Sequence, residues 1–205
     1  MSTFKSLDIR NFAIVGHGTS GKTVLSEAML YNGGETNRIG KIEDGTTISD
    51  YHLNETSRQI SISTTLLHCG WEGKKFNILD APGFLDFIGE ARSALHIVDF
   101  ALIAVPVVSG PEAGTDLVWK YAGERGIPKL IVVTMLNKEH SKFDTVMKEL
   151  MDHFSKRIFP FLLPMNAGPG FNQIADVLRR KMLTYRTDGS GKYEEGDLPD
   201  EWQDK

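Results

Sequence analysis

The sequence has a single cysteine, Cys69, so it can form no internal disulfide, and no second Cys stands at ligand spacing to build a thiolate metal site. That usage suits a reducing compartment, and Cys69 reads as a buried strand residue. Long apolar runs are also missing. The longest, Ala101 to Val108, is far too short to cross a bilayer, and the N-terminus has no apolar stretch of the signal-peptide kind. No membrane partner is therefore expected, and the expected location is cytoplasmic. Nor is there a large excess of either charge. A formal net charge of −4 argues against broad attraction to nucleic acid, and sequence-specific DNA is not an expected partner. A local basic face would still suit a ribonucleoprotein. The histidines are scattered: His52, His68, His96, His140 and His153 make no metal-ligand cluster.

What is present is an alternation. Apolar, β-branched-rich runs at Ile9–Val15, Ile60–Leu67, Phe76–Leu79, Ala101–Val108 and Leu130–Val133 read as strands, several of them buried on both faces. Helical patterns fall between most of them, at Val24–Leu30, Gly89–Val98 and Glu112–Glu124, the last stopped by Gly126 and Pro128. This order predicts an α/β fold with a mostly parallel, doubly wound sheet. Phe143, Val146, Met147, Leu150 and Phe154 recur at helical spacing, so Ser141 to Ser155 closes that domain as an amphipathic helix. Trp71 and Trp119 read as hydrophobic anchors.

After Pro160 the character of the chain changes. Pro164, Gly168, Pro169 and Gly170 punctuate a loop, Ile174, Val177 and Leu178 suggest a short helix, and Arg179-Arg180-Lys181 would complement the dipole at its C-terminus. From Thr187 the tail is glycine-rich and acidic, with a turn signal at Asp188-Gly189. The expected division is residues 1–157 as the main domain and 158–205 as a smaller unit cut short.

The segment Gly16-His17-Gly18-Thr19-Ser20-Gly21-Lys22-Thr23 fits G-x-x-x-x-G-K-[ST] between a predicted strand and a predicted helix. Glycines let backbone N–H groups approach phosphates, and a helix N-terminus favours an anion. Lys22 supplies a cation to the outer phosphates, and the Thr23 hydroxyl can ligate Mg²⁺. The P-loop NTPase fold is the expectation. His17 is set within this loop to cap or pack rather than to catalyse. Asp80-Ala81-Pro82-Gly83 follows a strand in the D-x-x-G form, in which the carboxylate holds the metal through water and the Gly83 N–H meets the γ-phosphate.

Taken together, Gly16–Thr23, Gly45-Thr46-Thr47-Ile48-Ser49-Asp50, Arg58-Gln59-Ile60-Ser61-Ile62, Asp80–Gly83 and Gly110–Val118 resemble elongation factor G, in particular its divergent bacterial paralogues. Phe161–Pro164 and Gly189-Ser190-Gly191-Lys192-Tyr193 look like the start of that family's inserted α+β subdomain. The resemblance implies the N-terminal G domain of a translational GTPase. It also implies GTP and GDP as ligands, Mg²⁺ as cofactor, the ribosome as partner of the full-length protein, and a monomer. It makes residues 38–63 the first switch and places Ser61, where the family usually has Thr, at the metal.

Two positions leave the family pattern. Phe84 stands where the family has the His that positions the attacking water, and a phenyl ring can neither donate nor accept that hydrogen bond. With Lys22 and Gly83 it completes the expected catalytic group. Aligned on Pro128–Val133, Thr134, Met135 and Asn137 take the place of the base-reading N-K-x-D motif. The alternative Asn137-Lys138-Glu139-His140 lies three residues farther from the strand. In the strand-anchored register Asn137 replaces the carboxylate that accepts from guanine. The alternative to a GTP-hydrolysing domain is thus a non-hydrolysing or relaxed-specificity nucleotide-binding module of the ribosome.

Overall fold

The computed structural model describes residues 4–202. The chain divides into two compact units, Met1–Val105 with Pro111–Thr134, and Pro106–Gly110 with Met135–Lys205.

The first unit is a five-stranded sheet of β1 (Ile9–Gly16), β2 (Thr65–Trp71), β3 (Lys74–Asp80), β4 (Phe100–Pro106) and β5 (Lys129–Thr134), in the order β2-β3-β1-β4-β5. Strand β1 runs parallel to both β3 and β4, while β2 is antiparallel to β3. The centre of β1 is fully enclosed, with Ala13, Ile14 and Val15 at 0% exposure, which its unbroken apolar run requires. Helix α1 (Lys22–Asn32) packs on β1, β2 and β3, and α3 (Ile88–Leu95) and α4 (Ala113–Glu124) pack on β1 and on each other. Below α1, the Phe12 ring stacks on Phe100 at 4.9 Å and meets Phe76 edge-on at 6.1 Å, within a cluster that includes Ile14, Leu30, Leu67, Cys69 and Ile78.

This order positions the site. Parallel neighbours end at the same sheet edge, and the register pairs Ile14 with Asp80 and Gly16 with Ala104. The loops leaving β1 and β3 therefore emerge side by side at the carboxyl ends of the strands, where open α/β sheets bind ligands.

Several boundaries differ from the sequence expectation. The strand expected over Ile60–Leu67 begins only at Thr65, because the amides before it are taken by side chains. Ile62 and Ser63 donate to Glu55 Oε1 at 2.9 and 3.1 Å, and Thr64 donates to Glu90 Oε2 at 2.9 Å. A short helix α2 (Leu53–Arg58) lies inside what the sequence presents as loop, with Glu55 accepting the His52 N–H at 3.3 Å at its N-terminus. Strand β4 stops at Pro106, which has no N–H for a ladder, and Gly110 turns back onto its carbonyl at 2.9 Å. Trp71 is half-exposed at the end of β2.

The second unit contains α5 (Phe143–His153) and an antiparallel sheet of β6 (Leu162–Pro164), β7 (Gln173–Asp176), β8 (Lys181–Tyr185) and β9 (Tyr193–Asp197), in that order. The helix expected around Ile174–Leu178 is strand β7 followed by a turn. Pairing on both sides claims its backbone, Ala175 is buried, and Leu178 is exposed. Arg179 stands in that turn, its N–H and guanidinium both bonded to Asp176 at 2.9 and 2.8 Å, so Arg179-Arg180-Lys181 completes no helix dipole. The Asp188-Gly189 signal falls in the connection of a hairpin in which Tyr185 pairs with Tyr193.

Replacing Phe12 by Ala should lower the unfolding free energy by about 3–5 kcal/mol, since a stacked aromatic is removed from an enclosed cluster. Urea denaturation followed by circular dichroism measures this, and a loss under about 1 kcal/mol would show that the cluster closes around the gap.

Candidate nucleotide and magnesium site

The loop between β1 and α1 is built by local geometry that only part of its sequence spells out. Gly21, at the N-cap of α1, has φ +85°, a left-handed conformation that costs glycine little. Thr19 is also left-handed at φ +62°, strain of the kind stored at functional loops. Ser20 N–H turns back to the His17 carbonyl at 3.4 Å, and Thr134 Oγ1, at the end of β5, donates to the Ser20 carbonyl at 2.8 Å.

Lys22 lies almost wholly inside, 6% exposed, with Nζ donating to the His17 carbonyl at 2.7 Å. Burial draws its pKa down to about 8, against a partial upward pull from Asp80 and Asp50. Gly83 comes so close that a Cβ there would collide with Lys22 Nζ and lie 2.6 Å from the His17 carbonyl oxygen. The sequence pair Lys22 and Gly83 is therefore one contact in space.

Asp80, the last residue of β3, is 1% exposed. Burial raises its pKa, opposed by the Ser49 and Ser26 hydroxyls, which donate to Oδ2 at 2.6 and 2.9 Å, and by Lys22. Asp50 is 5% exposed and is pushed up to about 6, chiefly by burial, with a hydrogen bond from Ser61 pulling it back. Thr23 Oγ1 and Ser61 Oγ lie 3.3 Å apart. Two carboxylate oxygens in this group, Asp50 Oδ1 and Asp80 Oδ1, are buried without any hydrogen-bond partner. Such oxygens are costly unless a cation takes them, and hydroxyl and carboxylate oxygens are the donors that a hard ion such as Mg²⁺ prefers. The residues present fit that ion.

The remaining sequence candidates fall into two sets. Phe84 lies against Gly18, where an added Cβ would meet its ring at 3.2–3.3 Å, so the side chain packs on the phosphate loop. His17 caps a helix: its Nδ1 accepts the Gly114 N–H at 3.2 Å in the first turn of α4, and Nε2 stands 3.9 Å from Glu112. Met135 and Asn137 belong to the second unit, where Met135 has φ +61° and its carbonyl accepts Lys138 N–H at 3.0 Å, and Asn137 is exposed. Among the described residues no group of three or more His, Cys, Asp or Glu stands together as a metal cage.

The sequence alone assigns no site role to Ser26, Glu27, Ser49, Asp50 and Glu55, all of which are buried. A signal existed for two of them. Ser26 and Glu27 follow Thr23 by three and four residues, which puts them on one face of α1.

A strand, a glycine loop cradling a buried lysine at a helix start, and a buried aspartate ending the neighbouring parallel strand define a P-loop nucleotide-binding α/β domain. The Elongation factor Tu GTP binding domain family matches residues 7–192, and the chain belongs to that family. It is 30% identical to elongation factor G 2 of Streptomyces coelicolor over 97% of this chain and 29% of that protein. It is 34% identical to mitochondrial ribosome-releasing factor 2 of Debaryomyces hansenii over 88% of this chain and 22% of that protein. A crystal structure of a protein from Thermus thermophilus superposes with a TM-score of 0.88 at 35% identity, covering 96% of this chain and 29% of the other. The chain thus spans less than a third of the length of these relatives. No helix among the described residues is long and apolar enough to cross a membrane.

The sign of the Asp50 shift gives a pH dependence. Its folded pKa of about 6 stands above the ordinary 3.8, so between these values the native state holds more protons than the unfolded chain and stability falls as pH rises. In Mg²⁺-free buffer, Asp50→Asn should flatten the decline of Tm across that window. A series of thermal melts from about pH 4 to 7 checks it, and an unchanged slope would assign the decline to another group.

Proposed function

We propose that the full-length protein binds GTP with Mg²⁺ and changes its contacts with the ribosome when the γ-phosphate is lost. The observation that carries this reading is the pair of partnerless buried oxygens of Asp50 and Asp80 beside the enclosed Lys22. The amides of Gly16 to Thr23 would cradle the phosphates, Lys22 would pair with the outer ones, and the Gly83 N–H would sense the terminal one. Thr23 and Ser61 would hold the metal directly and Asp80 through water, and the ion when bound would neutralise charge on the outer phosphates. We place the domain division at 157/158, because α5 continues the strand-and-helix alternation while β6 to β9 pair only with one another.

Base reading is proposed to be relaxed. Asn137 offers an amide where guanine presents donors, and one unmet buried hydrogen bond costs about 1–3 kcal/mol, roughly 5- to 150-fold in affinity. Calorimetric titration of the full-length protein with GTP, GDP, ATP and xanthosine triphosphate should show Mg²⁺-dependent binding. Lys22→Ala should weaken it about 10- to 150-fold, and GTP should be favoured over xanthosine triphosphate by less than about 100-fold. Absence of triphosphate binding by the full-length protein would overturn the reading.

Hydrolysis is proposed to be slow, and Phe84 favours a second reading in which the domain binds without cleaving. Its ring packs on Gly18 and brings no hydrogen-bonding group to an attacking water. Phe84→His should raise ribosome-stimulated single-turnover hydrolysis by about tenfold or more. Rapid wild-type hydrolysis that Phe84→Ala leaves unaltered would remove this residue from the account.

A further inference from the structure

Residues 38–61 are polar and, apart from α2, carry no regular structure, yet Thr47, Ser49 and Asp50 within them are buried. Their placement begins on α1. Glu27 is 1% exposed, and its two oxygens take one backbone amide each: Oε2 accepts Gly40 N–H at 2.9 Å, and Oε1 accepts Ile48 N–H at 2.6 Å. Between these two feet the loop is bonded to itself, Thr46 N–H to the Lys41 carbonyl at 3.1 Å and Lys41 N–H to Thr46 Oγ1 at 3.0 Å.

The approach at the first foot admits only glycine. A Cβ on residue 40 would lie 2.5 Å from the Thr46 carbonyl oxygen and 2.7 Å from Glu27 Oε2. The second foot leads directly to the site, because the residue after Ile48 is Ser49, whose hydroxyl donates to Asp80 at 2.6 Å, and Asp50 follows. A buried carboxylate is costly unless both oxygens are hydrogen-bonded, and here both bonds go to this one loop.

We propose that Glu27 is a positioning residue, whose carboxylate seats both feet of the 40–48 loop on α1 and thereby delivers Ser49 and Asp50 to the Asp80 group that takes the metal. The proposal rests on the magnesium-nucleotide reading of that group. It is distinct from the roles of Lys22 and Thr23, since the bonds of Glu27 are to backbone amides of the loop.

The test uses the full-length protein and two readouts. Hydrogen exchange without nucleotide reports the seating itself: Glu27→Ala should make amides over residues 40–48 exchange about 10- to 100-fold faster while those of β1 and β3 keep their rates. Glu27→Gln, with one acceptor and one opposed donor, should restore protection at one foot only. Gly40→Ala should reproduce the Glu27→Ala result from the loop side. GDP titration with Mg²⁺ and with EDTA reports delivery: Glu27→Ala should cut the Mg²⁺-dependent gain in affinity by about tenfold and leave the affinity in EDTA unchanged. Unchanged exchange over 40–48, or acceleration spread equally through β1 and β3, overturns the proposal, as does an unaltered Mg²⁺ gain. If the wild type shows no Mg²⁺-dependent nucleotide binding, the nucleotide reading fails and delivery to a metal fails with it, while the exchange data still judge the seating separately.

Discussion

A carboxylate ending a parallel strand inside a domain must be compensated, and the way Asp80 is compensated organises the first unit. One oxygen takes the Ser26 hydroxyl from α1 and the Ser49 hydroxyl from the polar loop, and the other has no hydrogen bond. The helix following the phosphate loop and the segment that closes over it are thus tied to the same atom. Parallel pairing of β1 and β3 sets that atom beside the loop that carries Lys22. Strand order, helix face and loop conformation converge because a single buried charge needs all three.

The electrostatics follow the same logic. Lys22 is drawn down and Asp50 and Asp80 are drawn up, each chiefly by burial, so neither sign of charge is comfortable. Perturbed groups of opposite sign gathered at strand ends are what a site for a highly charged ligand and its counter-ion requires. Phe84 stands at the margin of this charged group as an apolar face on Gly18, which separates the capacity to hold phosphates from the capacity to cleave them.

Much of this is legible in the sequence, for identifiable reasons. The apolar runs of β1 and β4 are buried enough to show as unbroken hydrophobicity, and Gly16–Thr23 states its chemistry in residue types at fixed spacing. The polar segments are opaque. Glu55 and Glu90 take amides that Ile62, Ser63 and Thr64 would otherwise give to a ladder, and no local pattern announces a carboxylate from elsewhere acting as acceptor. Strand β7 misleads because Ile174, Val177 and Leu178 have helical spacing, while only pairing with β6 and β8 fixes their conformation. Glu27 reads as a surface residue of a helix, and its burial depends on where residues 40 and 48 are carried.

The histidine in the phosphate loop ties that loop to a distant stretch of chain. His17 gives its carbonyl to Lys22 and its ring nitrogen to the amide of Gly114, whose own Cβ, if it had one, would lie 2.8 Å from that ring. The nucleotide loop and the start of α4 therefore do not vary independently. A lineage that changes one inherits a constraint on the other, so a motif read as eight consecutive residues is, as a unit of descent, a loop together with a glycine 97 positions downstream.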